Sequence, residues 1–94
     1  MHVVVRSYSG QGASELFDVM GQREEDVKEL ISGVPGFVRY AAFRTGDGVM
    51  TVTACQDRAG TDESSSRAAA WVADNVSGPV ETPEISEGDT FLEF

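Results

Sequence analysis

Residues 37–56, FVRYAAFRTGDGVMTVTACQ, form two β-prone runs separated by the tripeptide Gly46-Asp47-Gly48. Aromatic and β-branched residues recur in both runs, and a short glycine-rich loop between two such runs is typical of a β-hairpin. The pattern therefore predicts two antiparallel strands, over 37–45 and 49–56. Because neighbouring antiparallel strands need only this tight turn, the hairpin fixes the centre of a small sheet around which the rest of the chain must pack.

A strand and a helix are predicted before this hairpin. Residues 2–9, HVVVRSYS, are β-prone and end at the turn residues Gly10-Gln11-Gly12. Over 13–34 the apolar residues recur at the 3.6-residue spacing of a helix that buries one face. Gly21 lies inside this segment and weakens it, but we expect one continuous helix.

A second helix and a fourth strand are predicted after the hairpin. Thr61-Asp62-Glu63 has the composition of a helix start, and Ser77-Gly78-Pro79 that of a helix end. We expect residues 79–87 to form a surface connection and residues 90–94, TFLEF, to form the last strand. The order β-α-β-β-α-β in one domain, residues 1–94, is the ferredoxin-like α+β arrangement, with an antiparallel sheet and both helices on one face.

Composition and charge exclude several classes of function. Sixteen acidic residues against seven basic ones give a net charge of -9, which disfavours binding to nucleic acid or to an anionic membrane surface. One cysteine, Cys55, excludes an internal disulfide, and no Cys/His cluster has the spacing of a zinc site. No apolar run reaches the length of a membrane span. We expect a cytoplasmic protein without a metal or cofactor.

The sheet face without helices is where the sequence places a site. A chain of this length buries about 60–65% of its unfolded surface, so a homodimer that covers this face is expected. We expect the helices to cover Val3 and Val5 and the bare face to be semi-polar. Two such faces would enclose a cavity of the composition usual for a small-molecule site. The residues predicted to supply this bare face are His2, Val4, Arg6, Tyr8, Thr51, Thr53 and Cys55.

Three stretches resemble the antibiotic biosynthesis monooxygenase-like family of dimeric α/β-barrel proteins. They are Pro35-Gly36-Phe37-Val38-Arg39-Tyr40, the segment Cys55-Gln56-Asp57-Arg58 after the third strand, and the following helix with Trp71. The resemblance covers nearly the whole chain. It implies a dimeric barrel whose interior holds aromatic polyketides, quinols or haem. It also implies that some members oxidise such molecules with oxygen and no added cofactor.

The haem-degrading members of this family imply a more specific pattern. They carry a tryptophan in the second helical region, which Trp71 matches, and a histidine further along that helix as the iron ligand. Here Asn75 and Val76 lie near that place, and no histidine follows His2. Haem degradation is therefore disfavoured.

Seven residues are candidates for contact with a small aromatic ligand. The planar guanidinium of Arg6 suits a phenolate or carboxylate, and the alternative is an ion pair with an acidic residue across the sheet or the dimer. A tyrosine hydroxyl can donate to a ligand, or its ring can simply pack. The quinol-oxidising members imply a cavity set of Trp, Tyr, Asn, Arg and His side chains, which this chain matches in type. The candidates are Arg6, Tyr8, Tyr40, Thr51, Thr53, Trp71 and Asn75.

Each of the remaining candidates also has a purely structural interpretation. Trp71 could stack on a planar ligand, or it could belong to the core on the apolar side of its helix. Asn75 could orient a carbonyl group, or it could cap the last helical turn. His2, the second residue, is expected at the surface. Ser64, Ser65 and Ser66 are expected as first-turn residues of the helix.

Two functional hypotheses remain open. In the first, the protein is a small-molecule-binding dimeric α/β barrel that catalyses nothing or has an unknown activity. In the second, it is a cofactor-independent monooxygenase for an aromatic phenol or quinol. There Arg6 and Tyr8 would stabilise the phenolate that passes an electron to oxygen, while Trp71 would hold the ring. The catalytic residues of such an enzyme are not assigned by the sequence.

Overall fold

The computed structural model describes residues 1–94 as a four-stranded sheet with three helices. All neighbouring strands are antiparallel, in the order β2 (Phe37–Arg44), β3 (Gly48–Cys55), β1 (His2–Ser9) and β4 (Glu84–Asp89). This is the predicted ferredoxin-like α+β fold. None of the helices combines the length and the apolar character needed to cross a bilayer. The elements are β1 (His2–Ser9), α1 (Ala13–Gln22), α2 (Glu24–Ser32), β2 (Phe37–Arg44), β3 (Gly48–Cys55), α3 (Arg58–Asn75) and β4 (Glu84–Asp89).

The long first helix predicted over 13–34 is wrong, because the segment is divided into α1 and α2. The break falls at Arg23, whose φ of -121° and ψ of 39° are not helical. There the Arg23 guanidinium donates a hydrogen bond to the side-chain oxygen of Asn75 on α3 and pairs with Asp26 at 3.6 Å. The acidic residues in the first turn of α2 favour a new helix start after the break.

The third helix begins four residues earlier than predicted. Its N-cap is Asp57, whose carboxylate accepts a hydrogen bond from the backbone N–H of Ala59 at 3.2 Å. Thr61, predicted as the start, lies one turn inside the helix and is buried. Its hydroxyl is therefore available to the sheet below rather than to the helix end.

The last strand also differs from the prediction. Residues 84–89, EISEGD, pair with β1, although acidic residues and glycine have a low preference for strands, because the free edge of β1 supplies the pairing. Residues 90–94 follow the sheet without forming a strand. Their large apolar side chains are exposed, Phe91 to 90% and Leu92 to 67%.

The orientation of the sheet is opposite to the one predicted. His2 and Arg6 form hydrogen bonds with α3, so the even-numbered residues of β1 face the helices. On β3, Thr51 and Thr53 lie directly opposite Arg6 and Val4 of β1, so they share the face that the helices cover. Alternation along a strand shows which side chains share a face, but it does not show which face packs against the helices. Here the hydroxyl groups of α3 provide hydrogen-bond partners for the polar face.

The bare face of the sheet is consequently apolar. We use "bare face" for the side of the sheet that carries no helix. The strand registers place mainly aliphatic side chains there, most of them partly accessible to solvent. Only 18 of the 94 residues are buried in the single chain. Much of the apolar surface that is still exposed to solvent lies on this face. Its apolar residues are Val3, Val5, Ala41, Phe43, Met50, Val52 and Ala54.

Candidate functional site

A buried arginine lies at the centre of the covered face. Arg6 is 2% exposed, and its terminal nitrogens donate to three hydroxyl groups. The distances are 2.9 Å to Thr53 Oγ1 and to Ser65 Oγ, and 3.4 Å to Ser64 Oγ. None of the ion pairs of the chain includes Arg6, so the predicted ion pair across the sheet is not formed within the subunit. Its Nε has no hydrogen-bond partner.

A small cavity lies between Arg6 and the helices. It has a volume of about 30 Å³, which is enough for a single small group such as a water molecule. We call it the inner cavity. Apolar residues of the three helices close it from above, and Thr51, whose buried hydroxyl has no hydrogen-bond partner, lines its floor. Five of the seven candidates line it, namely Arg6, Tyr8, Tyr40, Thr51 and Trp71.

A larger cleft, the outer cleft, lies between the first two helices and β2. Its volume is about 730 Å³, within the range of small-molecule pockets, and most of its lining is apolar. Met20, Val27, Ile31 and Tyr40 line both spaces. The inner cavity therefore adjoins the outer cleft, and these four side chains separate the two spaces.

A third groove reaches the same arginine from the opposite side of α3. Its volume is about 610 Å³, and it runs between α3 and residues 77–85. Arg6 and Tyr8 lie at its base as well as in the inner cavity. Arg6 is thus approached from both sides of one helix.

Burial moves the pKa of both tyrosines of the site further above neutrality. Desolvation raises the pKa of Tyr40 from 10.0 to about 12, although the charge of Arg6 acts in the opposite direction. Desolvation also raises the pKa of Tyr8, and the nearby Arg6 guanidinium again opposes the shift. Both phenols are therefore hydrogen-bond donors, and neither is a base near neutrality.

Two of the predicted candidates lie outside the inner cavity. Thr53 is fully buried, and its hydroxyl accepts the hydrogen bond that holds one nitrogen of Arg6. Asn75 lies at the C-terminal end of α3, where its amide donates to the backbone oxygen of Trp71 at 2.9 Å. Its side-chain oxygen accepts from Arg23, so it joins the helices to one another.

Sequence reasoning missed the two serines that hold Arg6. Ser64 and Ser65 were expected only as residues of the first helical turn, but they face the sheet. A signal for them exists in the spacing of Thr61, Ser64, Ala68 and Trp71, which fall at intervals of three or four and form one stripe along α3. The first half of this stripe carries hydroxyl groups. The second half is apolar, and it lines the largely apolar inner cavity.

His2 is buried, which contradicts the prediction of a surface position. It is 4% exposed, with Nδ1 2.6 Å from Thr61 Oγ1 and Nε2 3.6 Å from Glu87 on β4. It lines neither the inner cavity nor the outer cleft. No group of three or more His, Cys, Asp or Glu side chains is arranged to hold a metal ion.

Solved structures share this arrangement of sheet and helices over nearly the whole chain. The ActVA-Orf6 monooxygenase of Streptomyces coelicolor, in complex with nanaomycin D, has 16% identity and a TM-score of 0.65, with 99% of this chain and 89% of that chain covered. A MhuD variant with manganese protoporphyrin IX bound has 16% identity and a TM-score of 0.66, with coverages of 99% and 96%. The fold is that of the antibiotic biosynthesis monooxygenase-like proteins.

This fold is the one that the family resemblance predicted from the sequence implies. SnoaB of Streptomyces nogalater, a cofactor-independent oxygenase, has the same antibiotic biosynthesis monooxygenase-like fold. It has 16% identity and a TM-score of 0.61, with 98% of this chain and 93% of that chain covered. A scan against protein-family models and a search of curated proteins gave no match. At this level of identity the likeness concerns the fold, and residue roles must be argued from the chain itself.

Proposed function

We propose that this protein binds a small, largely apolar aromatic molecule between its sheet and its helices. The outer cleft and the inner cavity beside it, which share four lining residues, carry this proposal. The cleft is large enough for a ring system, and the adjoining inner cavity is lined by the rings of Tyr8, Tyr40 and Trp71. Aromatic walls with a few convergent polar groups are the usual composition of a small-molecule site.

The proposed assembly is a homodimer formed through the bare face. Val5 and Val52 are directly opposite each other on the two central strands, and apolar side chains surround them. A patch of this kind on a chain of 94 residues favours burial against a second copy. Because the ligand cavity lies on the covered face, each subunit would hold its own site. The buried Cys55 thiol is compatible with the proposed cytoplasmic location.

The alternative function is a cofactor-independent monooxygenase that acts on a phenol or quinol. Its support is the position of Arg6 beside the inner cavity, where a substrate phenolate would be stabilised before it passes an electron to oxygen. His2, the single histidine of the chain, lies outside the cavity. An enzyme of this kind would therefore depend on a substrate that ionises readily.

A ligand screen with a blocked variant tests the proposed site. Polycyclic phenols, quinols, haem and small carboxylates are tested by thermal shift, and a ligand at 100 times its Kd is expected to add about 2.7 kcal/mol of stability. Ala42→Trp is expected to abolish the shift, because Ala42 lines the outer cleft. Ala70→Trp, at an exposed position of α3, is the matched control.

The result separates the two functions. Binding that Ala42→Trp removes and Ala70→Trp retains supports the proposed site, and oxygen consumption with the same ligand supports the monooxygenase. Binding that is equal in both variants contradicts the site. Failure of every probe to shift the wild-type protein contradicts small-molecule binding.

A further inference from the structure

We infer that the ligand carries an oxyanion, which binds at the inner cavity between Arg6 Nε and Thr51 Oγ1. The inference rests on the proposed function and names the chemical class of its ligand. That class is an apolar, ring-containing molecule with one anionic oxygen group, as in a phenolate, an enolate or a carboxylate.

The first observation is a buried charge without a countercharge. Arg6 is 2% exposed, and its three protein partners are neutral hydroxyl groups. A guanidinium removed from water loses favourable solvation, which an anion restores far better than hydroxyl groups do. The folded chain therefore maintains a positive charge beside the inner cavity, which adjoins the outer cleft.

The second observation is a pair of unsatisfied polar atoms at the same place. Arg6 Nε and Thr51 Oγ1 are the two buried side-chain polar atoms of the chain that lack a hydrogen-bond partner. Arg6 and Thr51 are directly opposite each other on β1 and β3, and both line the inner cavity. Buried polar atoms are nearly always paired, and an N–H and an O–H that share a cavity can both donate to one oxygen.

The third observation concerns size. The inner cavity, at about 30 Å³, admits a single small group, whereas the outer cleft, at about 730 Å³, admits a ring system. A ligand that fills both must place a small polar end at Arg6 and its apolar body against Met20, Val27 and Ile31. Tyr40 lies where the two spaces join and can donate a further hydrogen bond to the oxyanion.

The test uses three probes that share a naphthalene ring and differ in one group. They are 2-naphthoate, 2-naphthol and the neutral 2-naphthamide, titrated by calorimetry near neutral pH. We expect at least one of the two acidic probes to bind about tenfold or more tightly than the amide, because charge-assisted hydrogen bonds are the stronger ones. Preference for naphthoate indicates a carboxylate ligand. Preference for naphthol, with its ultraviolet spectrum shifted to the naphtholate form on binding, indicates a phenolate or enolate.

Two variants locate the preference. Thr51→Val keeps the shape of the side chain and removes one donor, so the preference for the acid should fall several-fold while binding of the amide is unchanged. Arg6→Gln should abolish the preference. Arg58→Gln, which removes an exposed arginine far from the cavity lining, should keep it. If Arg6→Gln does not fold, the nearly isosteric Thr51→Val still gives the answer.

The outcomes distinguish the inference from the proposed function. Equal affinity for all three probes would overturn the oxyanion site and leave small-molecule binding intact. An acid preference that survives both Thr51→Val and Arg6→Gln would also overturn it. If none of the probes binds, both the inference and the proposed function fail.

Discussion

Arg6 illustrates how much a single residue can reveal before a structure is known. A mid-strand arginine among valines predicted either an anionic ligand or an acidic partner, and within the chain its partners are three hydroxyl groups rather than an acidic side chain. The sequence could not show this, because Thr53 and Ser65 are 47 and 59 positions away from Arg6 along the chain. The candidate itself was predictable, whereas its partners depended on the fold.

Replacing Arg6 by methionine tests whether the arginine is structural. Methionine fills similar space without a charge, and no buried carboxylate is left unpaired. We therefore expect Arg6→Met to lower the free energy of unfolding by only about 1–2 kcal/mol, mainly through the lost bond to Thr53. Urea denaturation measures this. A loss of about 3–5 kcal/mol would instead indicate that a buried ion pair had been broken.

The pKa of Tyr40 predicts a loss of stability in alkaline solution. Its value is about 12 in the folded chain against 10.0 when unperturbed, so the folded state holds the proton more tightly. The unfolded state then loses its proton first, and the free energy of unfolding falls as the pH rises from 10 towards 12. Chemical denaturation across this range is the measurement. Tyr40→Phe should flatten part of the decline, and an equally steep curve in that variant would contradict the assignment.

At the level of secondary structure, the spacing of apolar residues correctly predicted helix in the segment before the hairpin but not its division. The break falls at Arg23, which also bonds to Asn75, a tertiary contact across helices that a local pattern does not contain. The same limit applies to β4, where pairing with the edge of β1 outweighs an unfavourable sequence. It also applies to the sheet, whose alternation was clear while the covered face was not.

Two helical glycines should respond in opposite ways to alanine. A Cβ at Gly21 in α1 would meet no atom within 4 Å, so Gly21→Ala should raise the free energy of unfolding by about 0.5–1 kcal/mol through a less flexible unfolded chain. A Cβ at Gly60 in α3 would collide with the Pro35 carbonyl and the Cys55 side chain. Gly60→Ala should therefore destabilise the protein. Thermal unfolding of both variants is the measurement. Equal effects of the two changes would contradict this packing.

The whole molecule has a small core and a large apolar sheet face. The buried cluster of Tyr8, Leu16, Val49 and Val76 lies on the helical side, so the other side contributes little to the stability of a single chain. Proposed pairing through the bare face would add the missing burial. The sequence indicated the need for a second copy, although it assigned the polar side chains of β1 and β3 to the wrong side of the sheet.

Val52→Glu tests the proposed dimer. Val52 lies at the centre of the bare face, where a carboxylate is solvated in a single chain but buried in the pair. Light scattering should show the mass of two chains for the wild type and of one chain for the variant, with unchanged circular dichroism. Ala70→Glu, on an exposed position of α3, should remain paired. A wild-type protein with the mass of one chain would contradict the assembly.

The position of Trp71 has a spectroscopic consequence for the molecule as a whole. It is the single tryptophan of the chain, and it lines the inner cavity. The near-ultraviolet emission excited at long wavelength therefore originates from one point, beside the proposed ligand. Quenching or a spectral shift of the Trp71 fluorescence on titration with a ligand would therefore report binding at that site without an added label.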